Sequence, residues 1–150
     1  MDVEVDLVSE HQLSGGELLS AISAKIVAIM RKQYGKGPMK AKTYVLDDLV
    51  VTVLRDGMIP IEQTMMDQGE PERVVEMRHE FQKMMGLQYR QAIEELTDRK
   101  VVAFLSQAHV DPDVTLEAFV MDGPLKGFGA VEVIEPELDH EQAPSDAESA

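Results

Sequence analysis

Two pairs of β-type segments, each pair joined by a short turn, constrain the fold of this 150-residue chain more than any other feature. The first pair lies on either side of Asp47-Asp48, within "KTYVLDDLVVTVLRDG". The second pair, "KVVAFLSQAHV" and "VTLEAFVMD", lies on either side of Asp111-Pro112-Asp113. Turns this short join antiparallel strands, because parallel strands need a crossover of about a dozen residues or more. The sequence therefore predicts two β-hairpins.

Helical patterns precede and separate the hairpins. The spacing predicts a first helix from Ser14, which has capping-box spacing with Glu17, to the helix-ending Gly35. It also predicts a short helix over 60–68 and a long helix over 71–97. The residues expected to face the core from the long helix are Val74, Met77, Phe81, Met84, Gln88, Ala92 and Leu96, with Met85, Tyr89 and Ile93 beside them.

These elements together predict an α+β domain. We expect a four-stranded antiparallel sheet, built from the two hairpins, with helices packed on one face and the order α-β-β-α-α-β-β. Gly86 lies inside the long helix, where it costs about 1 kcal/mol relative to alanine. A close approach or a bend is therefore expected there.

The first hairpin is apolar on both of its faces. The side chains of Tyr44, Leu46, Leu49, Val51 and Val53 share one face, and those of Val45, Val50 and Leu54 share the other. A sheet with one face in water should alternate apolar and polar residues, and this hairpin does not. We therefore expect the second face to be covered by a helix, by the segment 124–134, or by another subunit in a homodimer.

Charge divides the chain into three parts. Residues 1–17 carry five acids and no base, residues 122–150 carry eight acids and one lysine, and the part between is nearly neutral. Acidic ends of this kind are usually solvated tails. We expect an acidic N-terminal tail over 1–13, a folded domain over 14–122 and a largely disordered acidic C-terminal tail over 123–150, with 130–134 as a candidate short strand.

Composition excludes several classes of protein. The chain has no cysteine, so it forms no disulfide or thiolate metal site, and a reducing cytoplasm is the expected location. No apolar run is long enough to span a membrane, and the N-terminus lacks a secretory signal. No arrangement of residues supports covalent catalysis, and the net charge of −14 disfavours nucleic-acid binding. We expect a non-enzymatic domain without a cofactor.

The principal binding candidate is residues 31–42, "RKQYGKGPMKAK", which we call the basic loop. It holds five basic residues and no acid. Backbone N–H groups at glycines, together with positive charge, suit a phosphate, a carboxylate or an acidic partner. In the alternative interpretation the cations complement a helix end and solvate a turn. The candidate residues are Arg31, Lys32, Gly35, Lys36, Gly37, Lys40 and Lys42.

Two weaker candidates involve histidine. His109, Asp111 and Asp113, in "HVDPD", are compatible with a weak divalent-metal site, although Asp-Pro-Asp is also ordinary turn chemistry. Glu76 and His79 have a spacing found in di-iron bundles, but those sites need the motif twice. The functional alternative based on His109, Asp111 and Asp113 is a metal-dependent small-molecule sensor or weak hydrolase.

The stretches "YGKGPMKAK" and "EELTDRKVVAFLSQAHVDPD", at their positions within 14–122, resemble the MpsC-like family. That family is named for a component of a sodium-translocating, membrane-potential-generating system. The resemblance implies a cytoplasmic accessory or regulatory domain, peripheral to a membrane transport complex for cations or inorganic carbon, and it transfers no catalytic residue. Combined with the basic loop, it predicts binding of an anionic ligand or partner. A ligand-free homodimeric scaffold is the remaining alternative.

Overall fold

The computed structural model describes residues 13–128, and these residues form the predicted α+β architecture in the predicted order. The elements are α1 (Gly15–Tyr34), β1 (Lys40–Leu46), β2 (Leu49–Arg55), α2 (Pro60–Asp67), α3 (Pro71–Thr97), β3 (Val101–Val110) and β4 (Asp113–Met121). The candidate strand over 130–134 and most of both acidic tails lie outside the described residues.

The four strands form one antiparallel sheet in the order β1-β2-β4-β3. Each hairpin supplies two neighbouring strands, and the hairpins join where β2 pairs with β4. Asp47 takes a left-handed backbone conformation, φ 58°, in the first turn. The second turn is shorter than predicted, because Val110 pairs with Asp113 and leaves only Asp111-Pro112, joined by a cis peptide, between the strands. Asp113 is therefore the first residue of β4.

The core lies between one face of the sheet and the helices α1 and α3. Phe104 and Phe119, from neighbouring strands, stack with their ring centroids 5.1 Å apart. Burying one large apolar side chain contributes about 1.5–3 kcal/mol relative to leaving it exposed. The core residues with no exposed surface are Ile22, Ile26, Val50, Val74, Tyr89, Ile93 and Phe119.

The two ends of α1 differ in how far they follow the sequence prediction. Gly35 is left-handed, with φ 86°, and its N–H donates to the Arg31 carbonyl at 3.0 Å, as expected of a helix-ending glycine. Ser14 is the N-cap residue, but its side chain makes no capping hydrogen bond. The capping-box prediction was therefore wrong at Ser14.

The buried face of α3 is rotated from the predicted one. Met84 and Gln88 were expected in the core, but both are exposed, and the Met84 side chain is 68% exposed. Arg78 and Gln82 are buried instead, and Arg78 is paired with Glu62 and Asp113. The close approach expected at Gly86 is present, since a Cβ there would lie 3.3 Å from the Phe104 ring.

Candidate functional site

The basic loop ends α1 and begins β1. Arg31 and Lys32 are exposed in the last turn of α1. Gly37 is buried against the Arg31 side chain, and a Cβ at Gly37 would lie 2.8 Å from Arg31 Cγ. Lys36 Nζ donates to the carbonyl of Met58 at 3.2 Å. Much of this part of the loop is therefore involved in local packing and helix termination.

Lys40 and Lys42 belong to a different surface. They alternate along β1 with Ala41 and Thr43, which face the helices, so the two lysines project from the opposite face of the sheet. The basic loop thus supplies cations to two surfaces, one at the end of α1 and one on the sheet. Within residues 13–128, no carboxylate forms an ion pair with any of its five cations.

We call the sheet face turned away from the helices the open face. For the first hairpin, the division of side chains between the two faces of the sheet was predicted correctly. Val50 and Leu54 are buried against the helices, while Tyr44 and Leu46 are about half exposed on the open face. Leu105, from β3, is 58% exposed on the same face. No element within residues 13–128 covers the side chains of Tyr44, Leu46 and Leu105.

The strand register arranges the open face in four rows of four residues, which grade from basic to apolar. None of these residues is acidic, although the whole chain has a net charge of −14. The open face therefore combines a basic end with an apolar end. The rows are Lys40–Arg55–Val114–His109, Lys42–Val53–Leu116–Gln107, Tyr44–Val51–Ala118–Leu105 and Leu46–Leu49–Val120–Ala103.

The three residues of "HVDPD" that were candidate metal ligands have separate surroundings. His109 Nδ1 lies 2.8 Å from the Pro112 carbonyl oxygen, and Asp111 is exposed in the turn. Asp113 points towards α3, where its Oδ1 accepts from Arg78 Nη1 at 2.6 Å. In the part of the chain that the structure describes, no three or more acidic, histidine or cysteine side chains converge in a way that could hold a metal ion.

A buried ion cluster, which the sequence did not reveal, joins three helices and one strand. It consists of Arg78, Glu62, Asp113 and Tyr34. Arg78 Nε donates to Glu62 Oε2 at 2.7 Å, and the Tyr34 hydroxyl donates to the same oxygen at 2.6 Å. Glu62 has no exposed surface. The cluster therefore ties the end of α1 to α2, α3 and the start of β4.

Backbone donors complete the buried ion cluster. The Ile59 N–H donates to Glu62 Oε1 at 3.0 Å, and the Gly57 N–H donates to Asp113 Oδ2 at 2.9 Å. Burial and the hydrogen bond to Glu62 raise the pKa of Tyr34 well above its usual value. An adjoining cavity of about 30 Å³ has room for roughly one water molecule. The arrangement is that of a structural clamp, because the charges of Arg78, Glu62 and Asp113 are paired with one another.

Comparison with known families identifies the family of the domain that carries these surfaces. The model of the MpsC family, described as "Na+-translocating membrane potential-generating system (MpsC)", matches residues 14–123. The chain belongs to the MpsC family. This confirms the resemblance found in the sequence and assigns the chain a role in a Na⁺-translocating, membrane-potential-generating system.

The matched region of this MpsC-family chain includes the basic loop, the open face and the buried ion cluster. Searches of curated proteins and of solved structures found no match. No helix within residues 13–128 is both long and apolar enough to cross a membrane. The family assignment therefore defines the system, and the surfaces of the domain are what suggest its part in it.

Proposed function

We propose that this chain is a non-enzymatic, cytoplasmic accessory domain of the Na⁺-translocating system, and that its open face binds an amphipathic, acidic segment of a membrane subunit. The observation that carries the proposal is the composition of the open face. In a strongly acidic chain, its four rows contain Lys40, Lys42 and Arg55 but no acid. The absence of cysteine suits a reducing compartment.

The size of the open face matches one segment of a partner. With strands about 4.8 Å apart and about 3.4 Å per residue, four strands over the length of β1 present about 450 Å². A standard interface takes about 800 Å² from each partner. A helix about 10–12 Å wide, lying across the apolar rows, fits this smaller area.

The two halves of the open face have different roles in this proposal. Exposed side chains such as Leu46 and Leu105 supply apolar area, worth about 25 cal/mol for each Å² removed from water. Lys40, Lys42 and Arg55 attract acidic side chains and set the orientation of the segment. The part of the basic loop at the end of α1 is not required for binding.

Charge reversal tests the proposal. The full-length chain, carrying K40E/K42E, would be coexpressed with the membrane subunits of the Na⁺-translocating system, and its copurification with them measured. We expect at least a tenfold loss of copurification, and a similar loss for L105E, because each change removes one of the two kinds of contact. The matched control is R31E/K32E, which reverses the same number of charges at the end of α1.

The outcomes separate the alternatives. Loss with K40E/K42E and L105E, but not with R31E/K32E, supports the open face as the binding surface. Full copurification of both open-face variants, with unchanged thermal stability, would refute it. Loss only with R31E/K32E would move the binding site to the helix end of the basic loop.

A homodimeric scaffold is the second candidate, because the same apolar rows could bind a second copy of the chain. If the strands of the two copies ran in opposite directions, Lys40 of one copy would lie towards the Asp47 turn of the other. Light scattering distinguishes this candidate. A mass of twice 16.7 kDa that falls to the monomer value in L105E would favour the homodimer.

A further inference from the structure

The buried oxygen atoms that lack a hydrogen-bond partner belong to three residues, two of which are cross-strand neighbours. Within residues 13–128, the buried side-chain polar atoms without a partner are Gln82 Oε1, Ser106 Oγ and both carboxylate oxygens of Glu117. Glu117 has no exposed surface and Gln82 is 6% exposed. Unpartnered buried polar atoms are uncommon in folded proteins, so a group of four at one site requires an explanation.

The strand register and the surrounding cavities bring these three residues together. Ser106 on β3 is the cross-strand neighbour of Glu117 on β4, and both face the helices. Gln82, on α3, lines a groove together with Ser106, and it also lines the small cavity beside Thr115, two residues before Glu117. Gln82 therefore lies over the part of the sheet that contains Glu117 and Ser106.

One proton accounts for the pattern. An ionised carboxylate and an amide oxygen both only accept hydrogen bonds, so neither can satisfy the other. A protonated Glu117 can donate to Gln82 Oε1, which removes the conflict between two acceptors. The Ser106 hydroxyl, on the neighbouring strand, is the donor available to the second carboxyl oxygen once its side chain rotates.

The surroundings of Glu117 offer no compensating cation. Burial raises the pKa of Glu117 to about 8, and the nearby Ser106 hydroxyl lowers it only in part, without making a hydrogen bond of standard geometry. From α3, the titratable groups on this side are Tyr89 and Arg78. Tyr89 interacts electrostatically with Glu117, and its hydroxyl donates to Met85 Sδ. Arg78 is paired with Glu62 and Asp113. The cross-strand neighbour on β2 is the uncharged Thr52. The titratable side chains that line the groove outside are His79 and Lys83, and both are exposed.

We propose that Glu117, Gln82 and Ser106 form a buried proton-binding site at the centre of the sheet, which makes this accessory domain sensitive to mildly alkaline pH. The protonated site links α3 to β3 and β4. When the proton leaves, a carboxylate remains in the core without a cation, and the contact between helix and sheet is weakened. Leu116 and Ala118, on either side of Glu117 along β4, lie on the open face. The proton site and the open face are therefore opposite sides of one strand, and this inference does not depend on which partner the open face binds.

The direct test is to titrate Glu117 in the full-length chain. Carbon-13 NMR of side-chain-labelled glutamate follows each carboxyl group, and the E117Q variant identifies the signal of Glu117. We expect a midpoint near pH 8 for this group, against the ordinary glutamate pKa of 4.5. A midpoint for Glu117 at or below about 4.5 would overturn the proposal, because it would mean that the Gln82 amide is turned round and donates to an ionised carboxylate.

Unfolding experiments provide a second test. Glutamate ionises near pH 4.5 in the unfolded chain and near 8 in the folded one, so the folded state holds the extra proton between these values. The folding equilibrium constant of the wild type, relative to that of E117Q, should therefore fall about tenfold for each pH unit between pH 5 and 7.5. E76Q, at an exposed position of α3, is the matched control and should follow the wild type. A constant ratio of wild type to E117Q would overturn the proposal.

A salt comparison distinguishes the proton from a metal ion at the same oxygens. Unfolding at pH 8.5 would be measured in sodium chloride and in choline chloride of equal ionic strength. Equal stability in the two salts is expected for a proton site. A stabilisation by Na⁺ that disappears in E117Q would overturn the proposal in favour of a cation site.

Discussion

Replacement of Arg78 by methionine is the most informative test of the buried ion cluster. The Arg78 side chain is 8% exposed and that of Glu62 has no exposed surface, with 2.7 Å between Arg78 Nε and Glu62 Oε2. R78M keeps much of the side-chain volume but leaves Glu62 as a buried carboxylate without a cation. Removing one partner of a buried ion pair costs about 3–5 kcal/mol. Since the total stability of a domain is about 5–15 kcal/mol, R78M should lose a large part of it.

Urea unfolding followed by circular dichroism measures this loss, and a double-mutant cycle assigns it. E62Q removes the charge that R78M leaves uncompensated, so we expect E62Q/R78M to be more stable than R78M alone. The coupling between the two sites should exceed about 1 kcal/mol, as expected for residues in contact. R73M is the matched control, because the pair of Arg73 with Glu70 is exposed and should be worth about 1 kcal/mol or less.

Two results would refute this reasoning. A loss of less than about 1 kcal/mol in R78M would mean that Glu62 is not an uncompensated charge in the variant. Strict additivity of R78M and E62Q would mean that the ion pair contributes no coupling, whatever its geometry. In either case the cluster would not be the clamp that joins α1, α2, α3 and β4.

Three further predictions concern the core, the basic loop and the metal alternative. F119A should lower the free energy of unfolding by about 3–5 kcal/mol, because it opens a cavity in the core; urea unfolding measures it, and a loss below about 1 kcal/mol would contradict the packing described. G35A should destabilise the domain by about 1–2 kcal/mol, because a Cβ is disfavoured at a φ of 86°; thermal unfolding measures it, and a stabilised variant would be inconsistent with that conformation. Mg²⁺, Mn²⁺ or Zn²⁺ should leave the midpoint of thermal unfolding unchanged in the wild type and in D111N, since Asp113 is already paired with Arg78; a shift that D111N abolishes would instead support the metal alternative.

The order of helices and strands could be predicted from the sequence because it depends on local signals. The short turns at Asp47-Asp48 and Asp111-Pro112 require hairpins, and Gly35 ends α1 by its left-handed conformation. The strands' alternation predicted which side chains of the first hairpin share a face. Each of these signals operates over a few residues, so no knowledge of the tertiary structure was needed.

The buried face of α3 could not be predicted from apolar periodicity. Arg78 and Gln82 are polar and were not part of the predicted apolar stripe, and the partners of Arg78 come from distant parts of the chain. Glu62 lies on another helix and Asp113 on another strand. A buried position for a charged residue is favourable only once such a partner is in place, which the helix sequence alone does not contain.

The sequence by itself determined the α+β class, the order of elements, the family and the concentration of cations in residues 31–42. Only the tertiary structure decided that these cations divide between the end of α1 and the open face, and that Glu117 lies in the core opposite Ser106. The reason is physical. Secondary structure follows from interactions between near neighbours in the chain, whereas the burial and pairing of a charge depend on which distant residues the fold brings against it.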